Sequence, residues 1–186
     1  MKEHRKRVLV LVADGFEEIE AVTLIDVLRR ADLEVTVASP DGAVVNGAHG
    51  IRMGTERRFA DVKAADHDAL VLPGGTSNAR TLASHAEAQR LIKEARALDK
   101  VVGAICAAPL ALKAAGVIQG AQITSFPGME REFAGEKYRE ERVVKDGNVL
   151  TSRGPGTALE FALAVVADLE GKAAADKLRS GMLVAS

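Results

Sequence analysis

The sequence is poor in several residue types on which large classes of function depend. It has one cysteine, Cys106, and no tryptophan, and aromatic residues make up only 3% of its 186 residues. A single thiol excludes a disulfide within the chain and any metal site that takes several thiolates from one chain. The shortage of aromatic side chains argues against surfaces on which bases or sugar rings stack.

An excess of charge of one sign is also absent. Lys and Arg number 25 against 26 Asp and Glu, so the net charge is -1 and no basic field favours direct nucleic-acid readout. The four histidines are scattered without ligand spacing, and we expect no metal and no cofactor. No apolar run approaches the length of a membrane span, and the run VLVLVA is too short for a signal-peptide core. We therefore expect a cytoplasmic protein that does not contact membranes.

What the chain does contain is an alternation of apolar runs and helical patterns in one domain, residues 1–186. Buried strands are predicted at 7–12, 35–38, 69–72, 100–105 and 122–125, and a hairpin at 143–151 around Asp146-Gly147. Helices are predicted at 16–31, from Ser84, at 107–115, at 158–169 and after Gly171, with capping boxes pairing Ser84 with Glu87 and Thr157 with Glu160. Glycine-rich residues 41–58 indicate a hairpin or an irregular excursion. The alternation predicts a parallel, doubly wound α/β sheet whose site lies beyond the carboxyl ends of the strands.

Cys106 stands where the strand in VVGAICAAPL meets a helix of small residues. Such a sharp turn holds a nucleophile in a strained, exposed conformation, and a helix N-terminus lowers the pKa of a thiol. A buried structural cysteine is the alternative, but the context favours a functional one.

Pro73-Gly74-Gly75 also follows a buried strand. Glycine allows backbone N–H groups to approach a ligand closely, and those amides, together with the amide of Ala107, are able to stabilise an oxyanion. An ordinary Gly-Gly turn is the alternative.

Glu20 lies within the apolar arc of the first predicted helix when that helix is projected at 100° per residue. A carboxylate on a buried face is costly unless it is paired, neutral or functional, so we expect a raised pKa and a role in proton transfer. Favourable interaction with the helix dipole is the alternative, and it explains Glu17 and Glu18 better than it explains Glu20. Ile19 and Val22 form a small apolar stripe on the opposite face, which suits a dimer contact.

Together these pieces resemble the ThiJ/PfpI superfamily, in particular its parkinsonism-associated deglycase and YajL-like bacterial branch. The resemblance is carried by VLVLVADGFEEIEAVTLIDVLRRA, ALVLPGG, VVGAICAAPLAL and LTSRGPGTALEFAL, in the expected order across nearly the whole chain. It implies a flavodoxin-like, mostly parallel sheet with helices on both faces, and a homodimer. It also implies that Glu20 is the proton-donating glutamate, Cys106 the reactive, oxidisable cysteine, and Gly75 and Ala107 the oxyanion-type amides. Candidate pocket walls are Phe126, Arg153, Gly154, Pro155 and His49.

Two departures from the resemblance limit the chemistry. The protease-like branch has a histidine directly after the cysteine, where this chain has Ala107, so peptidase activity is not expected. Some relatives carry a histidine near the cysteine where this chain has Phe126. With no histidine base identified near Cys106, catalysis is expected to rest on the Glu20–Cys106 pair.

Two functions remain open from the sequence. One is a cofactor-free stress-response enzyme of the glyoxalase III or deglycase type, which converts methylglyoxal to lactate or removes early glycation adducts from proteins or nucleotides. The other is a redox sensor or redox-regulated chaperone with an oxidisable Cys106 and little turnover. Both use the same residues. A glutamine amidotransferase needs a late His–Glu pair, and no histidine follows His85.

Overall fold

The computed structural model describes residues 5–185. Its strands are β1 (Arg7–Leu11), β2 (Glu34–Ser39), β3 (Val44–Asn46), β4 (Arg52–Gly54), β5 (Arg57–Arg58), β6 (Ala69–Leu72), β7 (Val101–Ile105), β8 (Gln122–Ile123), β9 (Lys137–Tyr138), β10 (Val143–Asp146) and β11 (Val149–Ser152). The α-helices are α1 (Glu18–Arg30), α2 (Thr76–Ser84), α3 (Ala86–Ala97), α4 (Pro109–Ala114), α5 (Ala158–Glu170) and α6 (Lys172–Gly181). Short 3₁₀ turns occur at Phe59–Asp61, Ala64–Asp66, Glu130–Phe133 and Pro155–Thr157.

The central sheet has the strand order β10-β11-β7-β6-β1-β2-β5. All neighbouring strands in it run parallel except β10, which pairs antiparallel with β11. This confirms the predicted flavodoxin-like, doubly wound α/β fold. The hairpin predicted around Asp146-Gly147 is confirmed as β10 and β11.

Alternate residues of the strands serve two separate cores. Val8 and Val10 of β1 pack on one side, where α1, α5 and α6 lie, whereas Leu9 and Leu11 pack on the other side against α3 and α4. Because successive side chains of a strand point to opposite faces, a strand buried on both faces has to be apolar throughout, and β1 is.

Helix α2 was not predicted, and the expected N-cap at Ser84 is wrong. Ser84 is the last residue of α2, where its Oγ donates to the carbonyl of Arg80 at 3.0 Å. Glu87 pairs with Arg90 at 2.7 Å instead of reaching back to form a capping box. The helix that follows begins only at Ala86.

Two further expectations are corrected in part. The strand predicted at 122–125 is only the two-residue β8, which pairs with β9 outside the central sheet. Helix α5 is confirmed, but Thr157 does not cap it, because its hydroxyl contacts the Gly154 carbonyl and Glu160 pairs with Arg142. The 41–58 excursion is confirmed as the hairpin of β3 and β4 followed by β5. Within residues 5–185, no helix is both long enough and apolar enough to cross a bilayer.

Candidate active site

Three chemically distinctive turns lie side by side at the carboxyl edge of the sheet. They are Asp14-Gly15 after β1, residues 73–75 after β6, and Cys106 after β7. Since β6 lies between β1 and β7 in the sheet, the chain order brings these turns together, as expected of a site beyond parallel strand ends.

Cys106 adopts a left-handed backbone conformation, with φ of 65°. This conformation is uncommon for a residue with a Cβ, and it is held here by neighbouring backbone. The Cys106 amide donates to the carbonyl of Ser152 at 3.0 Å, and its own carbonyl accepts from the amide of Phe126 at 2.9 Å. The residue is 9% exposed, and the amides of Gly75 and Ala107 hydrogen-bond its sulfur. The predicted sharp turn between strand and helix is therefore present, with Cys106 at its corner.

Glu20 lies within the first turn and a half of α1 and is completely buried. Its Oε2 accepts the amide of Gly74 at 2.7 Å. Its Oε1 is buried and accepts no N–H, while the carboxyl group lies within hydrogen-bonding range of the Cys106 thiol. The structure thus brings Glu20 and Cys106 together, as the sequence predicts.

Glycine is required at both 74 and 75 for steric reasons. A Cβ on Gly74 would lie 2.5 Å from Glu20 Oε2 and 2.6 Å from the Cβ of Cys106. Gly75 has φ of 91°, and a Cβ there would also collide with the Gly15 carbonyl. The two glycines therefore allow the carboxyl group, the sulfur and the backbone amides to share one small volume.

Burial dominates the electrostatics of the pair. It raises the pKa of Glu20 to about 7; the amide of Gly74 opposes this rise, and the negative charge of Glu17 adds to it. Burial and then the Glu20 carboxylate raise the pKa of the Cys106 thiol to about 12, against the amides of Gly75 and Ala107. The sequence predicts that the helix N-terminus lowers the pKa of the thiol. While Glu20 is ionised, burial and the charge of Glu20 outweigh that effect. Between about pH 7 and pH 12 the two acids therefore hold one proton between them.

A cavity of about 270 Å³ opens above the sulfur. Its lining residues are Glu17, Ala48, His49, Gly75, Thr76, Cys106, Ala107, Phe126, Met129 and Pro155.

Among the predicted wall residues, His49, Phe126 and Pro155 line this cavity, whereas Arg153 and Gly154 do not. The guanidinium of Arg153 donates to the carbonyl of Glu140 at 2.7 Å. A Cβ on Gly154 would lie 3.3 Å from Cδ2 of the Phe126 ring, so Gly154 packs against that ring. These two residues support the wall without forming it.

Glu17 and Asn78 are positioning residues that sequence reasoning missed. Glu17 Oε2 accepts the amide of Glu20 at 2.7 Å and so caps α1. Asn78 is buried, accepts the Ala13 amide at 2.7 Å and donates to the carbonyls of Pro73 and Gly74 at 2.8 and 3.1 Å. Asn78 thereby ties the end of β1 to the end of β6. A buried asparagine on an amphipathic helix was the available signal, but α2 itself was not predicted.

Glu18 does more than interact with the helix dipole, which is all that the sequence predicted for it. Its buried carboxylate accepts the His49 amide on Oε1 at 2.6 Å and contacts His49 Nδ1 through Oε2 at 2.8 Å. Burial raises the pKa of Glu18, but the hydrogen bonds from His49 and Ile51 prevail and lower it to about 2. The same hydrogen bond and charge raise the pKa of His49 above its usual 6.5.

Glu17, Glu18 and His49 are also close enough for a metal ion, with one ligand atom from each within 4.8 Å of the others. Glu17 Oε2 and both oxygens of Glu18 already have hydrogen-bond partners within the chain. Metal binding there would compete with the hydrogen bonds that hold α1 and the 47–51 loop.

Comparison with known proteins agrees with this geometry. Residues 6–168 match the model of the DJ-1/PfpI family. The chain belongs to the DJ-1/PfpI family. Among its relatives is the Parkinson disease protein 7 homolog of Danio rerio, 39% identical over 184 residues that cover 96% of this chain and 97% of the relative. A Pyrococcus abyssi protein named as a deglycase is 38% identical over 152 residues, covering 81% of this chain and 91% of the relative.

The crystal structure of Drosophila melanogaster DJ-1beta has the same fold. It superposes with a TM-score of 0.94 at 38% identity, and the match covers 98% of this chain and all of that one. The superfamily predicted from the sequence is therefore confirmed as the DJ-1/PfpI family. Assignment to the YajL-like bacterial branch within this family stays a prediction.

Proposed function

We propose that this DJ-1/PfpI family member is a cofactor-free, cysteine-dependent enzyme that acts on reactive dicarbonyls. Its substrates would be 2-oxoaldehydes such as methylglyoxal, or the early adducts that these form on proteins and nucleotides. One arrangement supports the proposal best. The Cys106 sulfur is held by two backbone amides, lies beside a fully buried Glu20 and stands at the base of a small cavity.

The first chemical step is addition of sulfur to the aldehyde. The Cys106 thiolate forms an S–C bond to the aldehyde carbon, and the electron pair of the C=O bond moves onto its oxygen. The amides of Gly75 and Ala107, which already point at the sulfur, are placed to stabilise that oxyanion. For this step the single proton of the pair has to sit on Glu20.

The hydrogen bonds of the site favour that proton position. A thiolate at Cys106 receives two amide N–H groups and, in addition, the O–H of a protonated Glu20. A Glu20 carboxylate receives the Gly74 amide and, at most, the weak S–H donor of a neutral Cys106, and its Oε1 accepts no N–H. A buried anion is more stable where more donors surround it, so the charge belongs on sulfur.

The second step moves a proton within the adduct. Glu20, with a pKa near 7, protonates the oxyanion, and the resulting carboxylate takes the proton from the former aldehyde carbon and delivers it to the neighbouring carbon, while the new hydroxyl proton passes to the neighbouring carbonyl oxygen. The first carbon is oxidised to a thioester and the second is reduced to an alcohol, so no external oxidant is required. Water then releases the 2-hydroxy acid and regenerates the thiolate.

Turnover of methylglyoxal by purified protein tests the proposal, with trace metals and buffer amines controlled. Lactate formation should be lost in Cys106→Ser and should fall by about 10²- to 10⁴-fold in Glu20→Gln, which keeps a donor but cannot transfer protons. Glu34→Gln, a change at an exposed carboxylate at the opposite end of β2, is the matched control and should be unaffected. Full turnover in Cys106→Ser would contradict the proposal.

A redox sensor or redox-regulated chaperone is the second candidate, because the same donors suit an oxidised sulfur. A sulfinate at Cys106 would accept the two amides and the protonated Glu20. Intact mass after graded peroxide should then show a stable sulfinate in the wild type and further oxidation in Glu20→Leu. Sensing without catalysis would appear as this oxidation pattern together with the absence of methylglyoxal turnover.

A further inference from the structure

Release of product from Cys106 needs a group that the Glu20–Cys106 pair does not provide. Hydrolysis of a thioester requires a base that takes a proton from the attacking water and returns it to bulk solvent. Glu20 is completely buried and accepts the amide of Gly74, so it has no access to bulk water. The base has to line the same cavity and also be exposed.

His49 meets both conditions. It lines the cavity above Cys106, and its side chain is 72% exposed. Glu18, being ionised and able only to accept, requires that Nδ1 of the ring carries the hydrogen of their 2.8 Å contact. In the neutral ring Nε2 therefore carries no hydrogen and has a free lone pair. This is the tautomer that a general base acting through Nε2 needs.

Glu18 holds His49 and its loop through several hydrogen bonds. The same carboxylate that contacts the ring also accepts the backbone amide of His49 at 2.6 Å and that of Ile51 at 3.4 Å. A Cβ on Gly47 would collide with Glu18, so the loop packs directly onto the carboxylate. A base held by a buried carboxylate is the arrangement by which hydrolases orient a catalytic imidazole.

We propose that His49, oriented by Glu18, is the general base that activates water to hydrolyse the thioester on Cys106. The inference rests on the proposed function and adds a catalytic residue to it. His49 Nε2 takes one proton from water as the oxygen bonds to the thioester carbonyl carbon. The tetrahedral adduct collapses and the C–S bond breaks with its electron pair on sulfur. The second proton of the water returns to Glu20, which gave up its own proton during the isomerisation, and the acid leaves as its carboxylate. His49 then gives the proton to bulk water, so methylglyoxal and water become lactate and a proton.

The pH dependence of this step follows from the charges around the ring. The anions that act on it are Glu18 and Glu17, both from the start of α1, and Cys106 lies below on the turn after β7. Phe126, Met129 and Pro155, from the other walls, carry no charge. Deacylation should therefore rise with pH through a midpoint above 6.5, as the ring loses the proton that Glu18 favours.

The experiment separates acylation from deacylation. Wild type and His49→Asn are mixed with methylglyoxal, and hydroxylamine is added to convert any thioester into lactohydroxamate. The asparagine side chain keeps a donor at the place of Nδ1, so the bond to Glu18 and the loop are retained, but it does not titrate. We expect His49→Asn to accumulate trapped thioester and to lose about 10²-fold in kcat, with the pH-dependent rise of deacylation absent.

Imidazole rescue provides a second measurement. Added imidazole should restore part of the deacylation rate in His49→Ala, because the exposed position leaves room for it, and should have no effect on wild type. Glu34→Gln again serves as the unaffected control. Equal deacylation rates in wild type and His49→Asn, or no rescue of His49→Ala, would overturn the role of His49 while leaving the proposed function intact. No turnover and no trapped thioester in the wild type would overturn both.

Discussion

At the scale of single residues, Cys106 and Glu20 act as one acid pair with two proton losses. Burial raises the pKa of both groups, to about 12 for the thiol with Glu20 ionised and about 7 for the carboxyl group. The first loss leaves its charge on sulfur, where the amides of Gly75 and Ala107 and the O–H of Glu20 converge. Ultraviolet absorbance of the thiolate should therefore rise with a midpoint below the ordinary thiol value of about 8.5. A rise only near pH 12 would place the charge on Glu20, and one near 8.5, the ordinary value, would show no effect of the fold.

The raised pKa of Glu20 also affects stability. Its folded pKa, about 7, lies above the model value of 4.5, so between these values the folded protein keeps a proton that the unfolded chain has lost. Stability present in full below pH 4.5 should therefore decline as pH rises to 7, by about 3 kcal/mol. Urea unfolding across this range should show the decline in wild type.

Glu20→Gln is the reference for that measurement, because it cannot ionise and retains a similar shape. Glu18 and His49 also titrate at lower and higher pH, but they are present in both proteins and cancel in the difference. Parallel stability curves for the two proteins would show that Glu20 ionises in the folded state as it does in the unfolded chain.

The sequence identified Glu20 because a carboxylate on an apolar helical arc is a local anomaly, visible within one helix. It did not identify the Glu18–His49 pair, because the two residues are 31 positions apart and meet only through the 41–58 excursion. No periodicity carries information on which side of a helix a distant loop will fold.

At the scale of elements, β7 and α5 are joined by an unusually close contact at Gly103. A Cβ there would lie 2.8 Å from Val71 Cγ1 and 3.0 Å from Cζ of Phe161. Gly103→Ala should lower the free energy of unfolding by about 1–3 kcal/mol, because the core has no room to take up the methyl group. Thermal or urea unfolding measures the change.

Gly54→Ala is the matched control, because nothing lies within 4 Å of the position a Cβ would take there. It should change stability by no more than about 0.5 kcal/mol. Similar losses in the two variants would indicate that backbone preference, rather than packing, sets the cost at Gly103.

The apolar strands were predictable because each is buried on both faces, and a continuous apolar run is a strong local signal. Helix α2 was not predictable in this way. Its sequence TSNARTLAS buries only Asn78, Ala79 and Leu82, which is too few residues for a clear apolar face. Its N-cap is Gly75, which offers no side chain to recognise, and its start is fixed by contacts to the neighbouring turns. The Ser84–Glu87 spacing matched a capping box by coincidence, because His85 separates two consecutive helices.

At the scale of the whole molecule, an apolar patch crosses the outer surface of α1 and α5. Ile19 and Val22 are 59% and 51% exposed, and Leu159 of α5 lies beside Val22 around one shallow pocket. We propose that this patch is covered by a second copy of the chain. Sedimentation should show a dimer at micromolar concentration, and Ile19→Glu with Val22→Glu should convert it to a monomer by placing charge in the interface.

Leu98→Glu is the control for that prediction, because Leu98 is similarly exposed but directly follows α3, on the other side of the sheet. A monomeric wild type would exclude the dimer. A dimer that survives the double change on α1 would place the interface elsewhere.

In the described part of the chain, residues 5–185, neither edge strand of the central sheet offers a free template for another strand. On one side β5 has only two residues, both arginine and both exposed, which repel an incoming identical edge. On the other, β10 runs antiparallel to the rest, and its terminal Asp146 accepts the amide of Gln122 from β8 at 2.7 Å. The folded chain is therefore poorly suited to seed fibres by edge-to-edge growth, which agrees with the proposal that a second copy binds to its helical face.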